Sequence, residues 1–290
     1  MKFIYQLSKV SLFGLLTAIF FSIPLSAESK DYNHPSYVSL DKDNKDYPKQ
    51  LKALILSELV LVQGGGFKMG SDAEGARKRE KPIHDVQLDD FYIGKTEVTQ
   101  QLFEHIMGWN YSYFACDICA INNISWKNAH LFMSKINKIT GLQLTFPSEA
   151  QWEFAAKGGN ASKGYIYSGS NDIDDVAWNA NNSNRRSHPT AQLKANELGL
   201  YDMTGNLWEF CLDDMSRVAY SNSDKLNPVY LFTTDASKTT LKVLRGSGYE
   251  FSFDESEIYK RDGATSNVRM PDIGIRFAMN IDISSIESNN

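Results

Sequence analysis

The sequence predicts an α+β domain in which short helices and small β-sheets are joined by much irregular loop. Three observations lead there. Helical periodicity is confined to a few short stretches. The chain between them is rich in Asn, Gly, Ser and Asp, which favour turns and local side-chain-to-backbone bonds over regular ladders. Loops of that length are unusual in a compact domain unless cations or disulfides hold them. The third observation is the segment 196–210, where Asp202, Glu209, Gly199, Gly205, Asn196 and Asn206 are interleaved with apolar anchors. Its glycines supply backbone freedom that a helix or strand does not need. Tyr201, Trp208 and Phe210 still demand burial, so an ordered turn inside a core is expected, and inward-facing oxygens there suit a hard cation.

The elements follow in chain order. Leu51, Leu54, Ile55 and Leu59 keep roughly helical spacing within residues 48–60, so a short helix should pack on the domain ahead of its first strand. Thr99 can cap a helix that runs to Met107, with Leu102, Phe103 and Ile106 on one face and Gly108 as its stop. Ser125 can cap a second, in which Ala129, Phe132, Met133, Ile136 and Ile139 form a stripe ending at Gly141. Ser148 with Gln151 makes a capping box for a third, stopped by Gly158 and Gly159. All three stripes are core faces in their simplest reading.

The chain has 290 residues, 42% hydrophobic and 22% charged, with a formal net charge of -5. That is ordinary globular chemistry for one large domain, and its acidic balance argues against nucleic acid as a partner. Lys2 and Lys9 precede an apolar stretch over residues 10–23 that ends in Leu25, Ser26 and Ala27, so residues 1–27 read as a secretory signal peptide. The stretch is short for a bilayer span. The expectation is an exported protein, periplasmic or secreted, with no membrane span after cleavage; an uncleaved anchor is the competing reading. Residues 28–47 are polar and without apolar period, as in an extended leader.

The run Asn196, Gly199-Leu200-Tyr201-Asp202-Met203, Gly205-Asn206-Leu207-Trp208-Glu209-Phe210 resembles the signature of the formylglycine-generating-enzyme (sulfatase-modifying-factor, FGE-sulfatase) family. Five further blocks stand in that family's order: Gly64-Gly65-Gly66-Phe67-Lys68-Met69-Gly70-Ser71, Phe91-Tyr92-Ile93-Gly94-Lys95-Thr96-Glu97-Val98-Thr99, Ile124-Ser125-Trp126, residues 146–159, and Gly274-Ile275-Arg276-Phe277. Any one alone is weak, and the ordered set is specific. The resemblance implies a C-type-lectin-like variant fold. The organisation expected is a signal peptide at 1–27, a polar leader with a short helix at 28–57, the FGE-sulfatase-like domain at 58–282 and a polar tail at 283–290.

The resemblance also implies a calcium site made by the side chains of Asp202 and Glu209 and the main-chain carbonyls of Gly205 and Leu207. Extracellular modules typically hold Ca²⁺ with dissociation constants of about 10⁻⁴ to 10⁻³ M. The alternative is that Asp202 caps a turn while Glu209 pairs with an arginine such as Arg245. The oxidase members of the family carry a cysteine pair that binds Cu(I), a metal that selects soft sulfur ligands. The equivalent positions here are Phe251 and Ser256, and no cysteine follows Cys211. Copper is therefore not expected, and cysteine-to-formylglycine oxidation by that route should be absent. An iron-dependent branch draws its histidines largely from an added N-terminal domain; here His34, His84, His105, His130 and His188 are scattered without metal-ligand spacing.

Cys116-Asp117-Ile118-Cys119 has the spacing of a redox motif, and a structural disulfide, metal binding and redox exchange are the possible readings. Similar family members often carry a cysteine pair just before the tryptophan at Trp126, which implies a small structural disulfide. Cys211 is left over as a buried thiol. Gly64-Gly65-Gly66 lacks the lysine and hydroxyl of a phosphate loop, and Ser247 has no downstream histidine to act as its base. The function expected is a binding or assembly protein for a protein or glycan partner, with Trp109, Tyr111, Tyr113, Trp178 and Tyr249 as candidate contact aromatics. The alternative is an oxidoreductase with a non-cysteine metal site.

Overall fold

The computed structural model describes residues 39–281 apart from 234 and 236. The expected signal peptide, most of the polar leader ahead of its helix and the polar tail lie outside the described residues.

Four helices form: α1 (Tyr47–Ser57), α2 (Gln100–Met107), α3 (Trp126–Thr140) and α4 (Glu149–Ala156). The caps stand where the sequence puts them. Thr99 Oγ1 accepts from Leu102 N, Ser125 Oγ from Asn128 N, and Ser148 Oγ from Gln151 N, while Gly108 and Gly141 close α2 and α3 in the left-handed region. Helix α4 ends at Ala156 with Lys157 as its C-cap, and Gly158 then turns the chain at φ 91°.

The strands make three small sheets. The first has β1 (Leu59–Val62), β4 (Phe91–Gly94) and β9 (Ala278–Asn280), antiparallel in the order β1-β4-β9. The hairpin pairs β2 (Gly65–Met69) with β3 (His84–Leu88). The third sheet runs β7-β6-β5-β8, from β5 (Trp208–Asp214), β6 (Leu241–Arg245), β7 (Arg261–Thr265) and β8 (Ile273–Gly274), with β8 parallel to β5. Side chains on successive strand residues point to opposite faces, and here both faces are covered. Phe210 and Leu244 enter an apolar cluster with α1, α2 and α3, whereas Cys211 and Val243 enter a second cluster with α4, β2, β3 and β4. That is why β5 reads as a nearly continuous buried run.

Every residue of α4 is buried, including Glu149 and Glu153. Buried carboxylates need partners. Arg261 meets Glu149, and Arg245 reaches both Glu153 and Glu149, so two arginines opposed in the β6–β7 register neutralise two helix carboxylates.

Candidate functional site

The segment 196–210 is an ordered turn inside the core. Asn196 organises its start: Oδ1 accepts from Leu198 N and Leu200 N at 3.0 and 3.1 Å, and Nδ2 donates to Ala155 O at the end of α4 at 2.8 Å. Gly205 has φ +77°, and a Cβ there would stand 2.4 Å from Trp178 O, so only glycine fits. Asp202 and Asn206 also take left-handed φ values, 55° and 59°, which Asx residues tolerate best among residues with a side chain.

Three of the other sequence blocks converge on this turn. Glu97 accepts from Leu207 N at 3.1 Å and from Asn206 Nδ2 at 2.6 Å. Glu209 accepts from Trp152 Nε1 at 2.8 Å and from Arg276, whose Nη2 lies 2.6 Å from Oε1. Arg276 donates further to Gly94 O and Tyr201 O, both at 2.9 Å. Glu97, Trp152 and Arg276 were missed by sequence reasoning as partners of the turn, although each lies in a block of the family resemblance. The arginine that pairs with Glu209 is Arg276, not the Arg245 named as an alternative. Both Glu209 oxygens are occupied by donors in this arrangement.

Asp202 is 3% exposed; its Oδ2 accepts from Ala191 N at 2.7 Å, and its Oδ1 is buried without a hydrogen-bond partner. Burial pushes its carboxyl up to about 6. Glu97 is raised well above the usual carboxylate range, first by burial and then by the charges of Asp202 and Glu209. Three buried carboxylates thus share one guanidinium, an electrostatic deficit that a cation would relieve. Among the described residues no three His, Cys, Asp or Glu side chains converge as a metal cage. A cation at this turn would therefore rely on main-chain oxygens beside Asp202.

Phe251 and Ser256, which the resemblance sets opposite the copper cysteines, are each engaged in other contacts. Phe251 packs edge-on against Trp208, centroids 5.4 Å apart. Ser256 is buried, its hydroxyl 3.0 Å from Ser247 Oγ and 2.8 Å from Ser252 O. Cys211 is buried, and burial, then the charges of Glu149 and Asp213, hold its thiol well above its ordinary range. Each described histidine has a local contact: His84 with Tyr220, His105 with Tyr47, His130 on Trp126, and His188 stacked on Trp178. His34 lies outside the described residues.

The Cys116 and Cys119 sulfurs are joined across a Cα separation of 5.2 Å, in a loop pinned by Gln100. Beside them Tyr111 and Tyr113 are 53% and 69% exposed, and Arg269 lies over the rings of Trp109 and Tyr111. Tyr249, by contrast, is 3% exposed and packs with Ala120 and Leu207, so it is core and not a contact aromatic.

A scaffold of small sheets and short helices, its irregular chain locked by a buried carboxylate–arginine hub, defines a loop-built α+β class. The family model described as sulfatase-modifying factor enzyme 1-like domain (FGE-sulfatase) matches residues 44–281, and the chain belongs to that family. It is 29% identical to the chaperone protein LppX of Paenibacillus barcinonensis over 274 residues, covering 77% of this chain and 89% of that protein. It is 22% identical to the inactive C-alpha-formylglycine-generating enzyme 2 of Bos taurus, covering 76% of this chain and 87% of that one. The formylglycine-generating enzyme of Streptomyces coelicolor is 27% identical over 56% of this chain and 53% of its own. Among solved structures, Treponema denticola variable protein 1 superposes with a TM-score of 0.68 at 24% identity, covering 77% of this chain and 95% of that one.

Proposed function

We propose that this family member does not oxidise cysteine and works as an exported binding or assembly protein for a protein or glycan partner. The observation that carries this reading is the replacement of both sulfur positions by Phe251, packed on Trp208, and Ser256, bonded to serine hydroxyl and backbone oxygen. A phenyl ring cannot ligate copper, and a neutral hydroxyl is a poor Cu(I) ligand. The relatives named as a chaperone and as an inactive enzyme agree with it.

The partner surface we infer is the loop bearing Trp109, Tyr111 and Tyr113. Tyr111 and Tyr113 are exposed, Trp109 is half-buried against the apolar cluster, Arg269 braces Trp109 and Tyr111, and the Cys116–Cys119 staple would hold the loop in an oxidising compartment. Little ordering entropy would then be lost on binding. No helix among the described residues is long and apolar enough to cross a membrane.

Calcium is part of the same proposal. Asp202 Oδ1 lacks a partner, which fits a hard cation, and Gly205 and Leu207 would add main-chain oxygens. Glu209 would join only by sharing its oxygens with Arg276. The ion would be structural, fixing the turn that carries the hub.

The test is incubation of folded, purified protein with copper and a cysteine peptide patterned on a sulfatase active site, with aldehyde formation followed by mass spectrometry. No conversion is expected. Conversion would overturn the non-catalytic reading and favour an oxidoreductase with a non-cysteine metal site.

A further inference from the structure

Away from the hub, a cavity of about 170 Å³ opens between the start of α4, the middle of β5 and the segment 219–231. Its lining includes three acidic residues, Glu149, Asp213 and Asp224, and no Lys, Arg or His. Its apolar side includes Val229 and Leu231, which are 39% and 38% exposed at the protein surface.

The charges are unequal in kind. Glu149 is already neutralised from the protein side by Arg261 and Arg245, and it accepts from Tyr220 Oη at 3.0 Å. Arg261 lies behind the Tyr220 ring, 4.4 Å from its centroid, with the His84 ring tilted against it at 4.7 Å. Asp214, next in the chain, is paired with Lys242 at 2.8 Å. Asp213 has no such cation among the described residues. It accepts from Glu149 N at 2.7 Å and from Tyr230 N at 2.9 Å, which caps α4 and pins one cavity wall. Two N–H groups fill about half of the roughly four acceptor sites of a carboxylate.

We propose that this cavity binds a primary ammonium group carried on a short alkyl chain, with the ammonium on Asp213 and the chain against Val229 and Leu231. An ammonium supplies three N–H donors and the missing positive charge, and its methylenes suit the apolar wall. Buried beside Glu149, Asp213 is pushed up to about 7, so the ammonium would bind its ionised form and draw its proton off. Both a free alkylamine and the side chain of a lysine in a partner protein carry this group.

The experiment is calorimetric titration of the folded chain with n-butylammonium, against n-butanol and butyrate as neutral and anionic matches. Butylammonium should bind at pH 8 at least about tenfold more tightly than butanol, since a charge-assisted bond is at stake. Between pH 8 and pH 6, where the amine stays protonated, its affinity should fall about tenfold as Asp213 takes its proton. Asp213→Asn should abolish both the preference and the pH dependence. Val229→Trp, which blocks the mouth from a partly exposed position, should abolish binding while leaving the cap of α4 intact. A lysine capped at both backbone ends separates the sources: tighter binding than butylammonium assigns the cavity to a protein side chain, and weaker binding to a free amine. Equal binding of amine and alcohol, or undiminished binding by Val229→Trp, would overturn the proposal and leave a water-filled cleft.

Discussion

Glu209 and Arg245 face each other across β5 and β6, yet their charges do not pair. Trp152 engages both: its Nε1 donates to Glu209 Oε2 at 2.8 Å, and its ring faces the Arg245 guanidinium 5.1 Å from the centroid. Glu209 is thereby committed to Arg276 and Arg245 to the carboxylates of α4. Two buried ion-pair systems stay separate on either side of one indole.

Breaking the hub pair should be costly. Arg276→Met leaves Glu209 buried without its cation and should destabilise by about 3–5 kcal/mol, whereas the double variant Arg276→Met with Glu209→Leu should recover much of that loss. Urea denaturation of the parent, the single and the double variants gives the comparison. A double variant no more stable than the single would place the cost in lost packing instead.

Calcium should raise the melting temperature of the parent and not of Asp202→Ala or Glu209→Ala. Glu209→Ala also breaks the Arg276 pair, so Asp202→Ala is the cleaner variant. Because burial pushes the Asp202 carboxyl up to about 6, the calcium-induced rise should shrink as pH is lowered through that value. Equal melting of parent and variant, with and without calcium, would remove the ion from the turn.

The pH profile of stability should carry the mark of Asp213. A carboxyl raised to about 7 in the folded chain and near 3.8 when unfolded binds more protons folded than unfolded between those values. Its contribution is therefore fully favourable at low pH and lost as pH rises from about 4 to about 7. Glu153, lowered in the fold, works the opposite way below its unfolded value. Denaturation curves for Asp213→Asn should show less loss of stability from pH 4 to 7 than the parent, and an unchanged slope would contradict the assignment.

The two glycines of the turn should differ in tolerance. Gly199→Ala, at φ +78° in open space, should cost about 1–2 kcal/mol for backbone conformation alone. Gly205→Ala adds a Cβ that would stand 2.4 Å from Trp178 O, and should cost distinctly more. Similar melting temperatures for the two variants would mean that the chain near Trp178 can move aside.

Surface aromatics should matter for recognition and little for folding. Tyr113→Ala, 69% exposed in the parent, should change stability by no more than about 0.5 kcal/mol. On a glycan or peptide array, the same substitution should weaken whatever binding the parent shows. Intact binding would move the partner surface elsewhere.

Much of this protein was legible in its sequence because the deciding interactions are local. A cap is settled within three residues, so Thr99, Ser125 and Ser148 announced their helices, and the glycines at 108 and 141 announced their ends. The ordered blocks announced the family. The hub was not legible. Glu209 meets Trp152 from 57 residues away and Arg276 from 67, while Glu97 reaches Asn206 from 109. Which arginine a buried glutamate takes depends on how two apolar clusters pack against a shared sheet. Packing likewise buried Tyr249, left Tyr113 exposed and opened the cavity beside Asp213. Sequence fixes short-range caps and turns through bonding within a few residues; long-range charge pairing is decided by tertiary packing, because burial makes every unpaired charge costly.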